Sequence, residues 1–551
     1  MQMDISIRDQ AVLACRRLLS QLNRDPATPT YGCFDRRYWA WKLVDFPEAT
    51  FQRNINSLCW LMDQPEAEGS DNLIEFIKAG LLYTLEIQHK DGSYDQAYPN
   101  EHSYGATAFL LPDLINAYQK KKDNFLQDER VFIENGLIRS ADFLYRASEL
   151  HGFIANHLAG AALALMKSYQ LFGEGKYKTK SNNIVQRIIE NQSGEGWFQE
   201  YNGADPGYQT LCMYYLAQIF QIEHSDKLYN VLEKSLQFLQ FFIHPDGTFG
   251  GEYGSRRTEI YYPGGIAILS PEFPVAAEMH TFMKESIRTG DTVNLMDIDM
   301  GNLAPLLSNY ITAVSTLEGA GESYVLPNKQ KEVTRVFKSA GLAIIATPGY
   351  YSVLGTSNGG ILKVFNKKTN TLVYDDCGLF GETSNGQKFS SQVTNLTNPI
   401  RWDGNAFEIS STFNKIPMQF PTPFNYLLLR IANLTIMRCR FLNEVMKKIF
   451  VKLLINKNSP VPLRRIRKIE FKQNIIHIVD KIEKTGLIQI KTLVYGKKFS
   501  AIHMASARYF TPSQLVKREQ PIIDIETFQR TGVTTQSLII DLHKDSQAHL
   551  V

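Results

Sequence analysis

A glycine followed closely by an aromatic residue recurs five times in the first half of the chain. The copies are Gly32–Phe34, Gly92–Tyr94, Gly152–Phe153, Gly196–Phe198 and Gly247–Phe249, and their glycines are 60, 60, 44 and 51 residues apart. Each copy precedes a segment whose apolar residues have helical spacing. Intervals of this length accommodate two helices and their connections, which indicates stacked or closed helical hairpins. If the array closes into a ring, the five loops meet on one of its faces.

The apolar pattern changes from helical to β-like near residue 333. We therefore expect an α+β multidomain protein, with an (α/α) toroid over residues 1–332 and an antiparallel β-sandwich over 333–551. Short runs separated by turn residues predict the strands of the second domain. These runs are Leu342–Ile345, Tyr350–Leu354, Gly360–Phe365, Thr371–Tyr374, Ile466–Phe471, Ile475–Val479, Ile488–Val494 and Ser506–Phe510.

One segment of the second domain, residues 424–457, is apolar and basic with helical spacing. The favoured interpretation is a helical insertion that packs on the sandwich with its charges in solvent. The alternative is a peripheral contact with an anionic membrane surface, since basic amphipathic helices bind there.

Composition excludes several classes of function. A net charge of +3 gives no support to a nucleic-acid-binding protein. The six cysteines are scattered without CxxC or zinc spacing, which predicts free thiols, and we expect no metal or cofactor. The start of the chain lacks a signal-peptide pattern. The sequence contains no run of about 18 apolar residues, so we expect no membrane-spanning helix. These features favour a cytoplasmic protein, at most peripheral to the inner membrane face.

Polar, basic and aromatic residues concentrate after the repeated glycines. Aromatic faces stack on sugar rings and arginine pairs with carboxylate or sulfate, so this composition suits an acidic polysaccharide or oligosaccharide. Catalytic candidates are Asn156, His157, Tyr208 and Arg256. Candidates for substrate binding are Trp39, Trp41, His102, Trp197, Glu200, Glu252, Tyr253 and Arg257.

Two of these loops resemble the heparinase II/III-like family of polysaccharide lyases. The resemblance rests on Ile154–Gly160, which contains Asn-His-Leu, and on Asp205–Tyr208, which follows about fifty residues later. It implies a toroid followed by a β-sandwich, and cleavage of uronic-acid polymers by β-elimination. It further implies that Asn156 neutralises the uronate carboxylate, that Tyr208 is the general acid/base and that His157 supports them.

Arg256 is the candidate for activating Tyr208. A free tyrosine has a pKa of about 10, so a tyrosine base near neutral pH needs help from a positive charge. A position in the first turn of a helix adds the favourable end of the helix dipole.

The sequence departs from the family in one respect. Lyases of this family usually draw a further histidine from the β-domain, but no histidine occurs between residues 341 and 381, and the first in this domain is His477. His102 and His280 are possible substitutes. Two alternatives to a lyase therefore stay open. One is a uronyl C5-epimerase on the same scaffold, and the other is a non-catalytic glycan-binding or assembly protein of surface polysaccharide biosynthesis.

Overall fold

The structure, a computed structural model, describes residues 4–149, 152–201, 203–316, 323–416, 422–439, 442–446, 448, 459–496, 509–511, 515, 521–543 and 548–550. Helices fill the first part of the chain, as the apolar periodicity predicts. They are α1 Ile7–Gln21, α2 Arg36–Trp39, α3 Asn54–Met62, α4 Asn72–Glu86, α5 Tyr104–Lys121, α6 Gln127–Arg146, α7 Ala155–Phe172, α8 Gly175–Glu190, α9 Pro206–Ile222, α10 Asp226–Leu239, α11 Pro263–Leu269, α12 Pro274–Thr289 and α13 Met300–Ser315.

These helices form two concentric layers. In the inner layer, α3, α5, α7, α9, α11 and α13 contact one another in that order, and α13 returns to contact α3. The outer layer contains α1, α4, α6, α8, α10 and α12. The N-terminal helix closes the ring, because Ile5 donates its backbone N–H to the carbonyl of Arg288 at 3.2 Å and Gln10 Nε2 donates to the carbonyl of Ile287 at 2.9 Å. The predicted toroid is confirmed.

The repeated glycines have a shared physical requirement. All five adopt a left-handed backbone, with φ between 85° and 112°. A Cβ atom added at Gly92 would lie 2.0 Å from the carbonyl oxygen of Arg139 on α6, and one added at Gly196 would lie 2.2 Å from that of Lys234 on α10. Only glycine permits both the conformation and this close approach to an outer helix.

Fourteen further strand segments of the described chain follow the helices and form two antiparallel sheets. They are β3 Val333–Phe337, β4 Leu342–Ala346, β5 Tyr350–Gly355, β6 Ile361–Asn366, β7 Thr371–Asp375, β8 Leu379–Thr383, β9 Lys388–Ser390, β10 Ile400–Trp402, β11 Ala406–Lys415, β12 Pro460–Phe471, β13 Ile475–Lys484, β14 Ile490–Tyr495, β15 Val533–Asp541 and β16 Ala548–Leu550. A short hairpin, β1 Gln199–Glu200 and β2 Gly203–Ala204, belongs to the toroid.

The two sheets pack face to face. One is ordered β3-β4-β5-β6-β7, and the other is ordered β14-β8-β9-β11-β12-β13-β15-β16 with β10 beside β11. Leu354 and Val364 of the first sheet share a core with Ile469, Ile478 and Ile540 of the second. Seven of the predicted strands coincide with these elements, whereas Ser506–Phe510 lies mostly outside the described residues.

The basic segment begins with helix α14, Pro423–Leu434, and its described part packs on loops of the toroid. Arg430 Nη2 lies 2.8 Å from Asp45 Oδ1, and Asn100 Nδ2 donates to the carbonyl of Asn433 at 3.0 Å. The described contacts of this part are therefore with the toroid, which differs from the packing on the sandwich that we favoured, whereas Arg438 and Lys448 are exposed as that interpretation expects. Residues 449–457 of the segment lie outside the described residues, and the membrane contact stays a prediction. Within the described residues, no helix has both the length and the apolar character needed to cross a bilayer.

A short helix near the end of the chain, α15 Ile525–Thr531, lies against β14 and β15. All six cysteines are free, and five of them are buried, as the scattered spacing predicts.

Candidate active site

Asp205 organises the loops that carry Tyr208 and Arg256. It is the N-cap of α9, and its Oδ1 accepts a 3.0 Å hydrogen bond from the backbone N–H of Tyr208. Its Oδ2 accepts a 2.8 Å hydrogen bond from the backbone N–H of Arg256. The side chain is fully buried, so this carboxylate fixes both backbones at one point. Tyr208 lies in the first turn of a helix, as the sequence predicts.

Arg256 lies between two tyrosine rings. Its guanidinium is 4.4 Å from the ring centre of Tyr201 and 5.7 Å from that of Tyr208. Burial lowers the pKa of Arg256, but the interactions with Tyr208 and Tyr201 outweigh it and hold the pKa above its usual value. The site therefore keeps a permanent cation beside the tyrosine chosen from the sequence.

Asn156 forms a two-point contact with Glu200. The backbone N–H of Asn156 donates to Glu200 Oε1 at 3.1 Å, and Asn156 Nδ2 donates to Oε2 at 2.8 Å. The two residues are 2% and 1% exposed. Burial raises the pKa of Glu200 to about 7, although the hydrogen bonds from Asn156 oppose the rise. This pairing was not predicted, because the two residues are 44 positions apart and nothing in their spacing links them.

His157 is held by a carboxylate that the sequence reasoning missed. Its Nδ1 lies 2.6 Å from Oε2 of Glu149, which is 9% exposed. The ring also contacts Phe109 edge-on at 5.2 Å between centres. A carboxylate at Nδ1 fixes the ring orientation and leaves Nε2 for chemistry.

Three predicted substrate-binding residues lie instead at the junction between the toroid and the sandwich. Glu252 Oε2 is 2.8 Å from Lys363 Nζ of β6, Tyr253 Oη is 2.9 Å from His244 Nε2, and Arg257 Nη2 donates to a carbonyl at 2.6 Å. All three are buried. Their contacts with protein groups differ from the direct substrate contact that we expected.

The junction holds the loop that carries Arg256. Lys363 also bonds Glu259 at 2.7 Å, and Asn358 Nδ2 donates to the carbonyl of Tyr253 at 2.8 Å. Arg257 donates to the carbonyl of Gln392, which again belongs to the sandwich. The sandwich thus fixes the position of the loop over residues 250–259, which carries Arg256.

The other predicted binding residues have contacts of their own. Trp39 Nε1 donates to the carbonyl of Gln21 at 2.8 Å, and Trp41 is 65% exposed. Trp197 Nε1 donates to Ser339 Oγ at 3.0 Å. His102 Nδ1 lies 3.0 Å from Asp91 Oδ2. The described contacts join Asn156 to Glu200 and Tyr208 to Arg256 through neighbouring loops.

The two histidines considered as substitutes and His477 have other surroundings. His280 is buried on the outer helix α12, and His102 stacks on His89 with 4.1 Å between ring centres. His477 Nε2 lies 2.9 Å from Ser537 Oγ within the larger sheet.

Among the described residues, one group has ligand atoms close enough together to hold a metal ion. Glu252, Asp375 and Cys377 place such atoms within 4.8 Å of one another, and all three are buried. Lys363 already lies against Glu252, so a cation of the protein neutralises this charge. We assign no metal to the group.

Several known proteins are similar to this chain in fold. Residues 66–267 match the family model described as the ulvan lyase N-terminal domain. A xanthan lyase structure from Paenibacillus has a TM-score of 0.50 and 11% identity, with 88% of this chain and 46% of that chain covered. The chondroitin AC lyase of Streptomyces coelicolor A3, solved with chondroitin sulphate, has a TM-score of 0.53 and 11% identity, with 86% and 66% covered. No curated protein sequence gives a match.

The chain has the fold of these polysaccharide lyases. This confirms the resemblance and the fold class derived from the sequence. The chain spans about half of the xanthan lyase and about two thirds of the chondroitin lyase. At 11% identity, the similarity to these lyases concerns the fold, and activity has to be argued from the residues of this site.

Proposed function

We propose that the protein is a lyase that cleaves a uronic-acid-containing polysaccharide or oligosaccharide by β-elimination. The observation that carries the proposal is the arrangement of Tyr208 beside Arg256, with both backbones bound to Asp205. The Asn156–Glu200 pair joins the start of α7 to β1, which shortly precedes Asp205 in the chain. This elimination requires two groups, one that transfers a proton and an amide that binds the uronate carboxylate.

In the proposed reaction, the side-chain amide of Asn156 donates a hydrogen bond to the C6 carboxylate of the uronate. Withdrawal of charge by this donor acidifies the C5 proton and stabilises the enolate-like intermediate. Tyr208 transfers the proton. The C5–H and C4–O bonds break, a C4–C5 double bond forms, and the departing oxygen receives a proton, so the products are an unsaturated uronate and a new chain end.

Arg256 and His157 assist this transfer. The guanidinium of Arg256 stabilises the negative charge on the phenolic oxygen of Tyr208 when that oxygen is deprotonated. His157, oriented by Glu149, supplies an imidazole from the toroid. Trp41, exposed on the first glycine loop, provides an aromatic face for a sugar ring at the rim.

The test is incubation with ulvan, xanthan and chondroitin sulphate while ultraviolet absorbance of the 4,5-unsaturated product is recorded. We expect product from at least one acidic polymer, and a loss of at least about 100-fold in kcat/KM for Tyr208→Phe and Asn156→Ala. Tyr177→Phe is the matched control, because Tyr177 also donates its hydroxyl, to Asp142 at 2.9 Å, on the outer helix α8.

Three outcomes would contradict the proposal. Full activity of Tyr208→Phe would remove the mechanism. Solvent deuterium at C5 without chain cleavage would identify an epimerase. No described contact specifically supports an epimerase. Binding of acidic glycans without turnover, unaffected by Tyr208→Phe, would identify a non-catalytic binding protein.

A further inference from the structure

We propose that Glu200 is the positioning residue that sets the side-chain amide of Asn156 for the uronate carboxylate. The inference deepens the proposed function and rests on it. The loop composition indicated direct substrate contact for Glu200, but the described hydrogen bonds of its side chain lead to Asn156.

The geometry defines this role. Glu200 offers one carboxylate oxygen to the backbone N–H of Asn156 at 3.1 Å and the other to its Nδ2 at 2.8 Å. Because the carboxylate of Glu200 accepts both hydrogen bonds, it fixes the start of α7 and the rotation of the Asn156 amide group. It also decides which end of the amide is nitrogen, because the atom facing a carboxylate must be a donor. Nδ2 carries a second N–H, which is the donor that a substrate carboxylate needs.

The backbone of Glu200 is itself fixed. It lies on β1, pairs with Ile154 in a β-bridge and accepts a 3.1 Å hydrogen bond from Ser255 Oγ at its carbonyl. The bridge joins the third and fourth glycine loops, and Ser255 belongs to the fifth. A side chain with such support loses little further conformational freedom when it holds Asn156, which suits positioning.

The charge of Glu200 is set by neighbours from several elements. Asn156 and the imidazole of His157 favour the ionised form, whereas burial and the charge of Asp205 oppose it. Groups that sense the charge of Glu200 are Tyr201, Cys212 and Arg256. The ionised carboxylate makes charge-assisted hydrogen bonds to Asn156, and these weaken when a proton is bound. The hold on Asn156 therefore strengthens as pH rises through the titration of Glu200.

The variant Glu200→Gln tests the inference, because its amide has one acceptor oxygen for the two N–H donors of Asn156, so one of the two contacts becomes donor against donor. We expect kcat/KM on the uronate polymer to fall on the order of 10- to 100-fold, as for the loss of a hydrogen bond to a charged group. Glu200→Asp, which keeps the carboxylate, should recover part of the activity. Glu134→Gln makes the same chemical change on outer helix α6, where Glu134 accepts from Tyr118 Oη at 2.6 Å, and serves as the control.

A double-mutant cycle separates positioning from a general structural effect. If Glu200 acts through Asn156, the double variant Glu200→Gln with Asn156→Ala should be no slower than Asn156→Ala alone. In addition, wild-type kcat/KM should decline on the acid side as Glu200 is protonated, and Glu200→Gln should lack that decline.

Additive effects in the cycle, or an unchanged acid limb in Glu200→Gln, would overturn the inference while leaving the lyase proposal intact. Absence of unsaturated product from the wild-type protein with every acidic polymer would instead refute the proposed function. The two failures are therefore distinguishable.

Discussion

The backbone N–H of Arg256 donates a 2.8 Å hydrogen bond to the buried carboxylate of Asp205, across 51 positions of sequence. The same carboxylate caps the helix that carries Tyr208. Burial raises the pKa of Asp205, while the N–H groups of Tyr208 and Arg256 oppose the rise. The relative placement of tyrosine and arginine thus depends on one residue that need not touch the substrate.

The first prediction concerns the charge of Arg256. Arg256→Gln should lower kcat by about 100-fold, because a preorganised charge at a site of developing negative charge is typically worth that much. Arg256→Lys should keep part of the activity, since it retains the charge without the planar stack. Arg335→Gln removes a cation that lies 5.2 Å from the Phe337 ring on the sandwich and is the matched control. Equal kcat for the wild type and Arg256→Gln would exclude this role.

The second prediction concerns Lys363, which joins the two halves of the protein. Lys363→Met leaves Glu252 and Glu259 buried without their ammonium partner, so unfolding free energy should fall by about 3–5 kcal/mol. Thermal denaturation measures the change. The second-site change Glu259→Gln in that background removes one of the uncompensated charges and should restore part of the stability. A melting temperature like that of the wild type for Lys363→Met alone would contradict the prediction.

The third prediction is a pH dependence of stability. Burial raises the folded pKa of Glu200 to about 7, above the value of 4.5 for an exposed glutamate. Its contribution is therefore fully present below pH 4.5 and is lost as pH rises through about 7, because the folded state binds the proton that the unfolded state has released.

Relative to Glu200→Gln, the wild type should lose about 3 kcal/mol over this interval, at about 1.4 kcal/mol for each pH unit. Melting temperatures of the two proteins measured from pH 4 to 8 provide the check. Parallel profiles would show that Glu200 does not titrate between the two limits.

The fourth prediction separates two members of the glycine repeat. Gly196→Ala should cost about 2–5 kcal/mol, because a positive φ is combined with a contact of 2.2 Å to the carbonyl oxygen of Lys234. Gly152→Ala should cost only about 1–2 kcal/mol, since its φ is also positive but no atom lies within 4 Å of the added Cβ. Urea denaturation of both variants measures the difference, and equal costs would argue against close packing as the reason for glycine at 196.

Local pattern was sufficient for the helical hairpins, for seven of the fourteen described strands of the sandwich and for the order of the two domains. Helical spacing predicted the hairpins, short β-rich runs between turn residues predicted strands β4 to β7, and an Asp-Pro pair predicted the start of α9 with Tyr208 in its first turn. Local pattern failed for Glu252, Tyr253 and Arg257. Their polar and aromatic side chains have the composition of a binding loop, yet the sandwich covers them.

The sequence by itself determined the glycine repeat, the change from helix to strand and the residues from which a site could be built, because each depends on neighbours within one turn or one strand. Only the tertiary structure decided which of those residues meet. Asn156 meets Glu200, His157 meets Glu149 and Arg256 meets Asp205 because ring closure brings separate loops together. Such pairings depend on the geometry of the closed toroid and of the sandwich against it, which no local spacing in the chain records.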